Sequence, residues 1–284
     1  LFGVKSQLQF GRLKVTGVVS NQQGNSQNIT VQNGAQVTNF SLAADEYDAN
    51  RHFFLNQSFR ANFDRALSKL PIIQSPYRIT RIEVWVVRRP VDNDPEIRDV
   101  LAFADLAEND SNYIANQSYK GGVIGPVPSN YANTLYQDLL VDSNIRLTNN
   151  SLNALRTRYP TLQNSVDFEQ ITLKKLNPNE YTFHPQLGFV SLNSALNNDQ
   201  VLAVAYEYTY NGEVYRVGEF SNERPTEPNN PSVLFLKLLK GTQIRVDRPI
   251  WDLMMKNIYS LNAYQVARED FFLDVVYADL NNGY

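Results

Sequence analysis

The first segment of the chain alternates between apolar and polar residues, which is the pattern of a β-strand with one face in an apolar environment. The alternation runs over residues 1–19 and changes phase once, after Gly11. A β-bulge near Gly11 would produce that change, so the pattern predicts one strand long enough to cross a bilayer at a tilt. Further on, Asn33-Gly34 separates the apolar stretches 29–31 and 37–42, and this dipeptide favours a hairpin.

Residues 45–69 change from alternation to helical spacing, which predicts an amphipathic helix. Asp48 or Asp45 is a suitable N-cap, and Pro71 would end the helix. The spacing is carried by a series of apolar residues: Phe53 or Phe54, Phe59, Phe63, Leu67 and Leu70.

Further strands are predicted where β-branched and aromatic residues alternate or run together. Residues 77–88 are apolar on both faces, which indicates a buried central strand, and residues 97–106 form the next strand. The clearest hairpin spans residues 201–217 around Asn211-Gly212. The remaining predicted strands are 171–173, 180–183, 189–192 and 271–280.

Helical spacing returns in two places, at residues 130–159, where Pro160 follows one or two short helices, and at residues 251–261. The mixture of periods predicts an α+β fold, rich in strands and with short helices. Five segments are expected: a barrel-type strand and hairpin at 1–44, an α+β subdomain at 45–120, a linker with helices at 121–165, a β-sheet subdomain at 166–224, and a linker, short helix and closing strand at 225–284.

Composition identifies a folded, aromatic-rich chain, since 43% of the 284 residues are apolar and 12% are aromatic. The net charge of −3 argues against binding of nucleic acid through a basic surface. The absence of cysteine excludes disulfides, thiolate catalysis and cysteine-based zinc sites. No apolar run reaches the roughly 18 to 20 residues of a membrane helix, whereas membrane β-strands remain compatible with the alternation. The sequence begins at Leu1 inside a predicted strand and ends at Tyr284 just beyond another, so we expect a segment of a longer protein.

Few residues are suited to catalysis or metal binding. The pattern places no partner beside His52 or His184 for a metal site or a Ser-His-Asp triad, so both are predicted to be structural. The oxygen-rich segments 45–50 and 92–96 lack the spacing of a calcium loop and are interpreted as caps and turns, with calcium binding as the alternative. Gly121-Gly122 lacks the context of a phosphate-binding loop. We therefore predict no catalytic, cofactor-binding or metal-binding residue.

A row of tyrosines is the most prominent surface candidate. Tyr206, Tyr208 and Tyr210 are spaced by two and share one face of the predicted hairpin, with Tyr215 on its partner strand. Sheet packing explains the row, and an exposed row that binds glycans or peptides is the alternative. Met254-Met255 is likewise interpreted as a core contact, with an adaptable interface as the alternative.

Several strings along the chain resemble one known family, in the same order. They are LFGVKSQLQFGRLKVTGVVSNQQG (1–24), DEYDANRHFFLNQSFR (45–60), ITRIEVWV (79–86), NEYTFHPQLGFVSLN (179–193), VAYEYTYNGEVYRVGEF (204–220) and WDLMMKNIYSL (251–261). They look like the SprA/Sov family, the giant outer-membrane translocon proteins of the type 9 secretion system in gliding and related bacteria.

The resemblance implies a segment of a very large outer-membrane β-barrel through which folded proteins reach the cell surface. Most of the chain is then expected to be an insertion or cap between barrel strands, facing the cell surface, with a periplasmic position left open. The implied partners are a PorV-like barrel protein, a plug protein, substrates with C-terminal signal domains, and lipid around the flanking strands. Neither a cofactor nor catalysis is implied.

Two other functional classes stay open at this point. One is a free-standing cell-surface module that binds glycans or peptides through its tyrosines. The other is an enzyme, for which no reactive group of residues is evident in the sequence.

Overall fold

The computed structural model of the chain describes residues 2–10, 13–21, 31–32, 35–36, 39–87, 96–225, 231–263, 266 and 271–276, with side chains from residue 39 onward. The chain separates into two compact units, Leu1–Leu42 and Ala43–Tyr284. In the described residues the regular structure of the first unit consists of paired strands, whereas the second unit, called the body below, contains both strands and helices.

The first unit begins with a hairpin of two nine-residue strands, β1 (Phe2–Phe10) and β2 (Leu13–Asn21). The strands are antiparallel, and Phe10 lies opposite Leu13. The prediction of one strand with a bulge near Gly11 is therefore wrong, because residues 2–10 and 13–21 form two antiparallel strands; Gly11 itself lies outside the described residues. A bulge and a two-residue turn both shift the alternation by one position, so the pattern alone could not separate them.

A second pairing follows in the same unit, between β3 (Val31–Gln32) and β4 (Ala35–Gln36). The strands are antiparallel, which confirms the hairpin predicted around Asn33-Gly34. Residues 39–42 of the predicted stretch 37–42 have no regular structure, and residues 29–30 and 37–38 lie outside the described residues.

Helices and strands of the body alternate in short runs. The strands are β5 (His52–Phe54), β6 (Tyr77–Val86), β7 (Ile97–Phe103), β8 (Phe168–Lys175), β9 (Tyr181–His184), β10 (Phe189–Leu192), β11 (Leu202–Tyr210), β12 (Glu213–Val217) and β13 (Leu234–Lys240). The α-helices are α1 (Gln57–Leu67), α2 (Gln117–Lys120), α3 (Leu135–Val141) and α4 (Ser151–Arg158).

The main sheet has six strands in the order β12-β11-β13-β7-β8-β6, and β6 also pairs with β11. This last pairing closes five of the strands into a small barrel, with β12 as an extension. One edge of β11 pairs with β6 along its whole length, while the other edge is shared between β13 and β12. The β13–β7 pair is parallel and the other pairs are antiparallel.

Alternate residues of the barrel strands fill the barrel interior, because successive side chains of a strand point to opposite faces. Trp85 is the largest side chain of this interior cluster and is fully buried. Ala203 lies directly opposite Trp85 in the sheet, and this small residue, with Ala102 and Ala205 in the same cluster, leaves space for the indole ring. The other apolar members from the barrel strands are Val100, Leu173, Ala205, Leu234, Leu236 and Leu238.

The outer face of the barrel is covered by the helices and by a three-stranded sheet of β5, β10 and β9. Helix α1 begins later than predicted, because the Asn56 side chain accepts the Ser58 N–H at 3.1 Å and acts as the N-cap. Asp48 and Asp45 are therefore not the cap. Phe53 and Phe54 belong to β5, which pairs with β10, a partner that sequence spacing could not reveal.

The C-terminal part of the body departs most from the sequence predictions. In place of a helix over 251–261 there is one 3₁₀ turn, Pro249–Leu253, and residues 271–276 form no strand. Residues 277–280 of the predicted closing strand lie outside the described residues, as does 226–230 of the linker. Strand β13 is absent from the sequence predictions because LFLKLLK is apolar on both faces and shows no alternation.

The prediction of a mixed α+β fold rich in strands is confirmed. Strands from the predicted segments 45–120, 166–224 and 225–284 join in the one barrel sheet. The five segment boundaries themselves stay predictions.

Candidate functional site

His52 lies between a serine and an aspartate. Its Nδ1 is 2.8 Å from Ser191 Oγ, and its Nε2 is 3.2 Å from Asp48 Oδ2. This order of hydroxyl, imidazole and carboxylate resembles the relay of a serine hydrolase. Sequence reasoning did not bring these residues together, because Ser191 is distant in the chain and reaches His52 only through the β10–β5 pairing.

Two observations give these contacts a structural explanation. Arg51 Nη1 lies 3.0 Å from Asp48 Oδ2, so the carboxylate is already paired with a permanent cation. Ser191 also lies directly opposite His52 in the sheet, where cross-strand hydrogen bonds are ordinary packing interactions. The contacts of His52 therefore join the loop at Asp48 to the sheet.

His184 ends strand β9 and holds the turn that follows. The Leu187 N–H donates a hydrogen bond to its Nδ1 at 3.2 Å, and its ring stacks on Phe189 with centroids 5.6 Å apart. Burial lowers the pKa of His184, which favours the neutral imidazole that can accept this bond. The two histidines therefore bind different partners, and each has a structural role.

In the oxygen-rich segment 45–50, carboxylate oxygens bind groups of the segment's own turn and its neighbours. Glu46 Oε2 accepts the Ala43 N–H at 2.7 Å, and Asp48 is paired with Arg51. In the second candidate, 92–96, only Glu96 lies within the described residues, where it forms an ion pair of 2.7 Å with Lys175. In the part of the chain that the structure describes, no group of three or more histidine, aspartate or glutamate side chains is arranged to hold a metal ion.

The tyrosine row is mainly core. Tyr206 and Tyr208 are fully buried, and the Tyr208 hydroxyl donates a hydrogen bond of 2.6 Å to the Pro128 carbonyl. Burial raises the pKa of Tyr208 well above its ordinary range. Tyr210 and Tyr215 are half-buried at the end of the same hairpin. The packing interpretation is confirmed for Tyr206 and Tyr208, so a binding surface made by the whole row is wrong.

A buried ion pair joins the barrel to the loop after β7. Lys237 Nζ is 2.6 Å from Glu108 Oε1, both side chains are almost completely buried, and Nζ also donates to the Ala104 carbonyl. Burial, opposed by Lys237, raises the pKa of Glu108 to about 7. The sequence signal for this pair is a lysine inside an otherwise apolar strand. Because the sequence pattern did not predict β13, it did not indicate that Lys237 is buried.

A cleft of ≈ 630 Å³ lies between the loop before α3 and strand β12. Its volume lies in the range of sites that bind small molecules, so we treat it as a candidate binding site. One wall is made by Gly125, Ser129, Asn130, Tyr131 and Tyr136, and the other by Val214, Tyr215, Arg216, Gly218, Glu219, Glu223 and Arg224, with Glu207. Sequence reasoning did not find it, because its two walls are distant in the chain: Asn130 and Gly218, which contact each other across it, are 88 residues apart.

The carboxylate of Glu219 fixes the base of this cleft. Arg146 donates two hydrogen bonds to it, at 2.5 and 2.8 Å, the Tyr136 hydroxyl donates at 2.9 Å, and the Phe235 N–H donates at 3.0 Å. Bidentate arginine binding and two further donors satisfy this buried carboxylate. The base of the cleft is therefore rigid, and Glu219 has little capacity left for a ligand.

Ion pairs also border the cleft on the β12 side. Arg216 contacts Glu223 at 2.6 Å and Glu207 at 3.1 Å, and Arg81 contacts Glu223 at 3.2 Å. The Arg81 guanidinium also lies 3.6 Å above the buried ring of Phe220. Together these contacts hold the 3₁₀ turn Ser221–Glu223 against β6 and β12.

Residues 1–191 match the model of the SprA_N family, which is described as a motility related/secretion protein. The chain belongs to this family. The resemblance inferred from the strings along the sequence is thereby confirmed, and it supports a role related to motility or secretion. A search of curated proteins found no match.

The SprA_N match divides the cleft. The wall with Asn130 and Tyr131 lies inside the matched residues, whereas β11, β12 and β13 lie beyond them. The histidine contacts at His52 and Ser191 are inside the match. In the described residues of this SprA_N chain, none of the helices has the length and apolar character to cross a membrane.

Proposed function

We propose that the chain is a segment of an outer-membrane protein-export translocon, in which the body shapes or covers the pore and holds partner proteins. The observation that carries the proposal is the SprA_N match over residues 1–191 of 284, whose description includes secretion. The proposal makes no use of bond-breaking chemistry. Its partners are a PorV-like barrel protein, a plug protein and exported proteins with C-terminal signal domains.

The N-terminal hairpin supports a membrane position for the flanking strands. Each strand has nine residues, close to the length of a transmembrane β-strand. The register places apolar residue types opposite one another, Val4 with Val19 and Leu8 with Val15, while Gln7 lies opposite Thr16. A hairpin with one apolar and one polar set of positions is typical of strands between lipid and an aqueous lumen.

Exposed apolar side chains near the C-terminal end of the body indicate a surface that another component covers. Phe272, Leu273, Val275 and Val276 are 84%, 62%, 93% and 68% exposed. Such a run of exposed apolar side chains is unusual on a protein that stands free in water, and it is expected where lipid or another part of the protein covers the surface. This favours the translocon segment over a free-standing module.

The position of the body is tested by labelling single cysteines in the parent protein, because this chain has none of its own. Asp64→Cys is on the exposed side of α1, and Ala66→Cys, at a fully buried position of the same helix, is the matched control. We expect a membrane-impermeant maleimide to label the first variant on intact cells, with no labelling of the second or of the unsubstituted parent. Labelling of Asp64→Cys only after permeabilisation would place the body in the periplasm and contradict a surface cap.

The export role is tested by deleting residues 43–269 from the parent protein. Export of a reporter with a C-terminal signal domain should stop, or the outer membrane should become leaky to a small dye. Export at the normal rate through a sealed membrane would contradict the proposal. Single substitutions of exposed aspartate and glutamate residues serve as the control and should leave export unchanged.

A further inference from the structure

Strand β12 ends the main sheet and turns one backbone edge towards the cleft. Its Arg216 carbonyl accepts the Asn130 N–H at 2.8 Å, so the backbone groups of Arg216 face away from β11 and towards the cleft. Because backbone direction alternates along a strand, the N–H and C=O groups of Val214 point to the same side. Among the described residues, only Asn130 forms hydrogen bonds with the backbone of this edge, one through its own N–H and two through its side-chain amide.

Asn130 contacts the end of β12 as a neighbouring strand would. Its side-chain Oδ1 accepts the Gly218 N–H at 2.7 Å, and its Nδ2 donates to the Gly218 carbonyl at 3.1 Å. With the bond to Arg216, one residue thus provides three contacts of strand type. The edge is therefore receptive to an extended chain, and Asn130 occupies only its last part.

Two exposed apolar side chains border the open part of this edge. Tyr131 on one side is 60% exposed, and Val214 on the other is 62% exposed. The cleft of ≈ 630 Å³ is within the size range of ligand sites, and its lining combines these apolar side chains with the ion-paired Glu207, Arg216 and Glu223. Side chains that alternate along an added strand could pack against both walls.

The charge of Arg224 favours an added strand that carries acidic side chains. The Arg224 side chain is 52% exposed, and among the described residues Glu219 is the only carboxylate within ion-pair distance of it, 3.8 Å from Nε. Glu219 already accepts four hydrogen bonds from other groups, so Arg224 keeps donors available to the cleft. Beneath it, Arg98 is 8% exposed, donates to the Arg224 carbonyl at 2.7 Å, and has no hydrogen-bond partner for Nη2 among the described residues.

We propose that this cleft binds an extended acidic segment of a partner protein, which adds to the edge of β12 as a further strand. The backbone of the segment would pair with Val214, an acidic side chain would bind Arg224, and alternate apolar side chains would pack against Tyr131 and Val214. The inference goes beyond the proposed export role and does not depend on where the body lies relative to the membrane.

The test measures fluorescence anisotropy of the 284-residue chain with a set of labelled, blocked heptapeptides. In one set glutamate alternates with valine, isoleucine, tyrosine or phenylalanine, and in the matched set lysine replaces glutamate. We expect saturable binding of an acidic peptide, about tenfold or more tighter than its lysine counterpart. Absence of saturable binding by every acidic peptide would overturn the proposal.

Three variants and one altered probe test the geometry. Val214→Pro removes the outward N–H and should weaken binding about tenfold, whereas Val214→Thr keeps it and should bind within about twofold. Arg224→Glu should reverse the preference between the acidic and lysine peptides. The altered probe is the acidic peptide that binds, with methyl groups added to alternate backbone nitrogens. Methylation removes the N–H groups that strand pairing needs, so this peptide should not bind. It tests strand addition even if Val214→Pro does not fold. Binding that none of these changes affects would place the peptide elsewhere and contradict the inference.

Discussion

Glu108 and Lys237 form an ion pair 2.6 Å long inside the body, where both side chains are shielded from water. Lys237 lies on barrel strand β13, and Glu108 lies in the loop that follows β7. The pair therefore ties the barrel to the layer that covers it. Removal of one partner would leave the other charge buried and unpaired, which costs far more than the loss of an exposed ion pair.

Lys237→Met should lower the free energy of unfolding by about 3–5 kcal/mol, because Glu108 would lose its cation while staying buried. The double variant Lys237→Met with Glu108→Gln should recover part of this loss. Urea unfolding followed by circular dichroism measures both changes. Lys69→Met, at an exposed position after α1, is the control and should change the free energy by less than about 0.5 kcal/mol. Equal effects of Lys237→Met and Lys69→Met would mean that the pair is not buried as described.

The same glutamate should make stability depend on pH. Burial raises the pKa of Glu108 from 4.5 to about 7, so between these values the folded state holds a proton that the unfolded state has released. Its contribution to stability is fully present below about pH 4.5 and is lost as pH rises to about 7. The free energy of unfolding of the unchanged chain, minus that of Glu108→Gln, should therefore fall from pH 5 to pH 8. A difference that rises over this range would contradict the assignment.

The two buried tyrosines should respond differently to loss of the hydroxyl group. Tyr208→Phe removes a hydrogen bond to the Pro128 carbonyl and should destabilise the body by about 1 kcal/mol. The Tyr206 hydroxyl has no hydrogen-bond partner among the described residues, so Tyr206→Phe should be neutral or stabilising. Thermal unfolding of the two variants side by side measures the contrast. If the order of the two effects is reversed, the packing of this row is not as described.

Gly188 should tolerate substitution less well than Gly212. Both residues have positive φ, +66° and +87°, so alanine should cost about 1–2 kcal/mol at each. At Gly188 an added Cβ would lie 2.4 Å from the ring of Phe59, whereas Gly212 has open space. Chemical unfolding should thus show a larger loss for Gly188→Ala, and equal losses would indicate that Phe59 does not pack on the turn.

Sequence patterns located most of the secondary structure of this protein. The spacing of Tyr206 and Tyr208 identified strand β11, and Asn211-Gly212, both with positive φ, marked the turn to β12. These features depend on neighbours close in the chain, so local residue types were enough. The strings resembling SprA/Sov also identified the family before the fold was known.

Tertiary structure decided the features that join distant parts of the chain. Phe53 has helical spacing with later residues, yet it lies in β5 because β10 provides a strand partner. Likewise, no local pattern could place Ser191 beside His52, Glu108 beside Lys237, or Asn130 along the edge of β12. Each of these contacts depends on the closure of the barrel and on the elements that cover it. The sequence by itself determined where most of the strands and helices form and which family the chain belongs to. Burial and long-range pairing placed β5 and β13, decided which side chains became core and left the edge of β12 open.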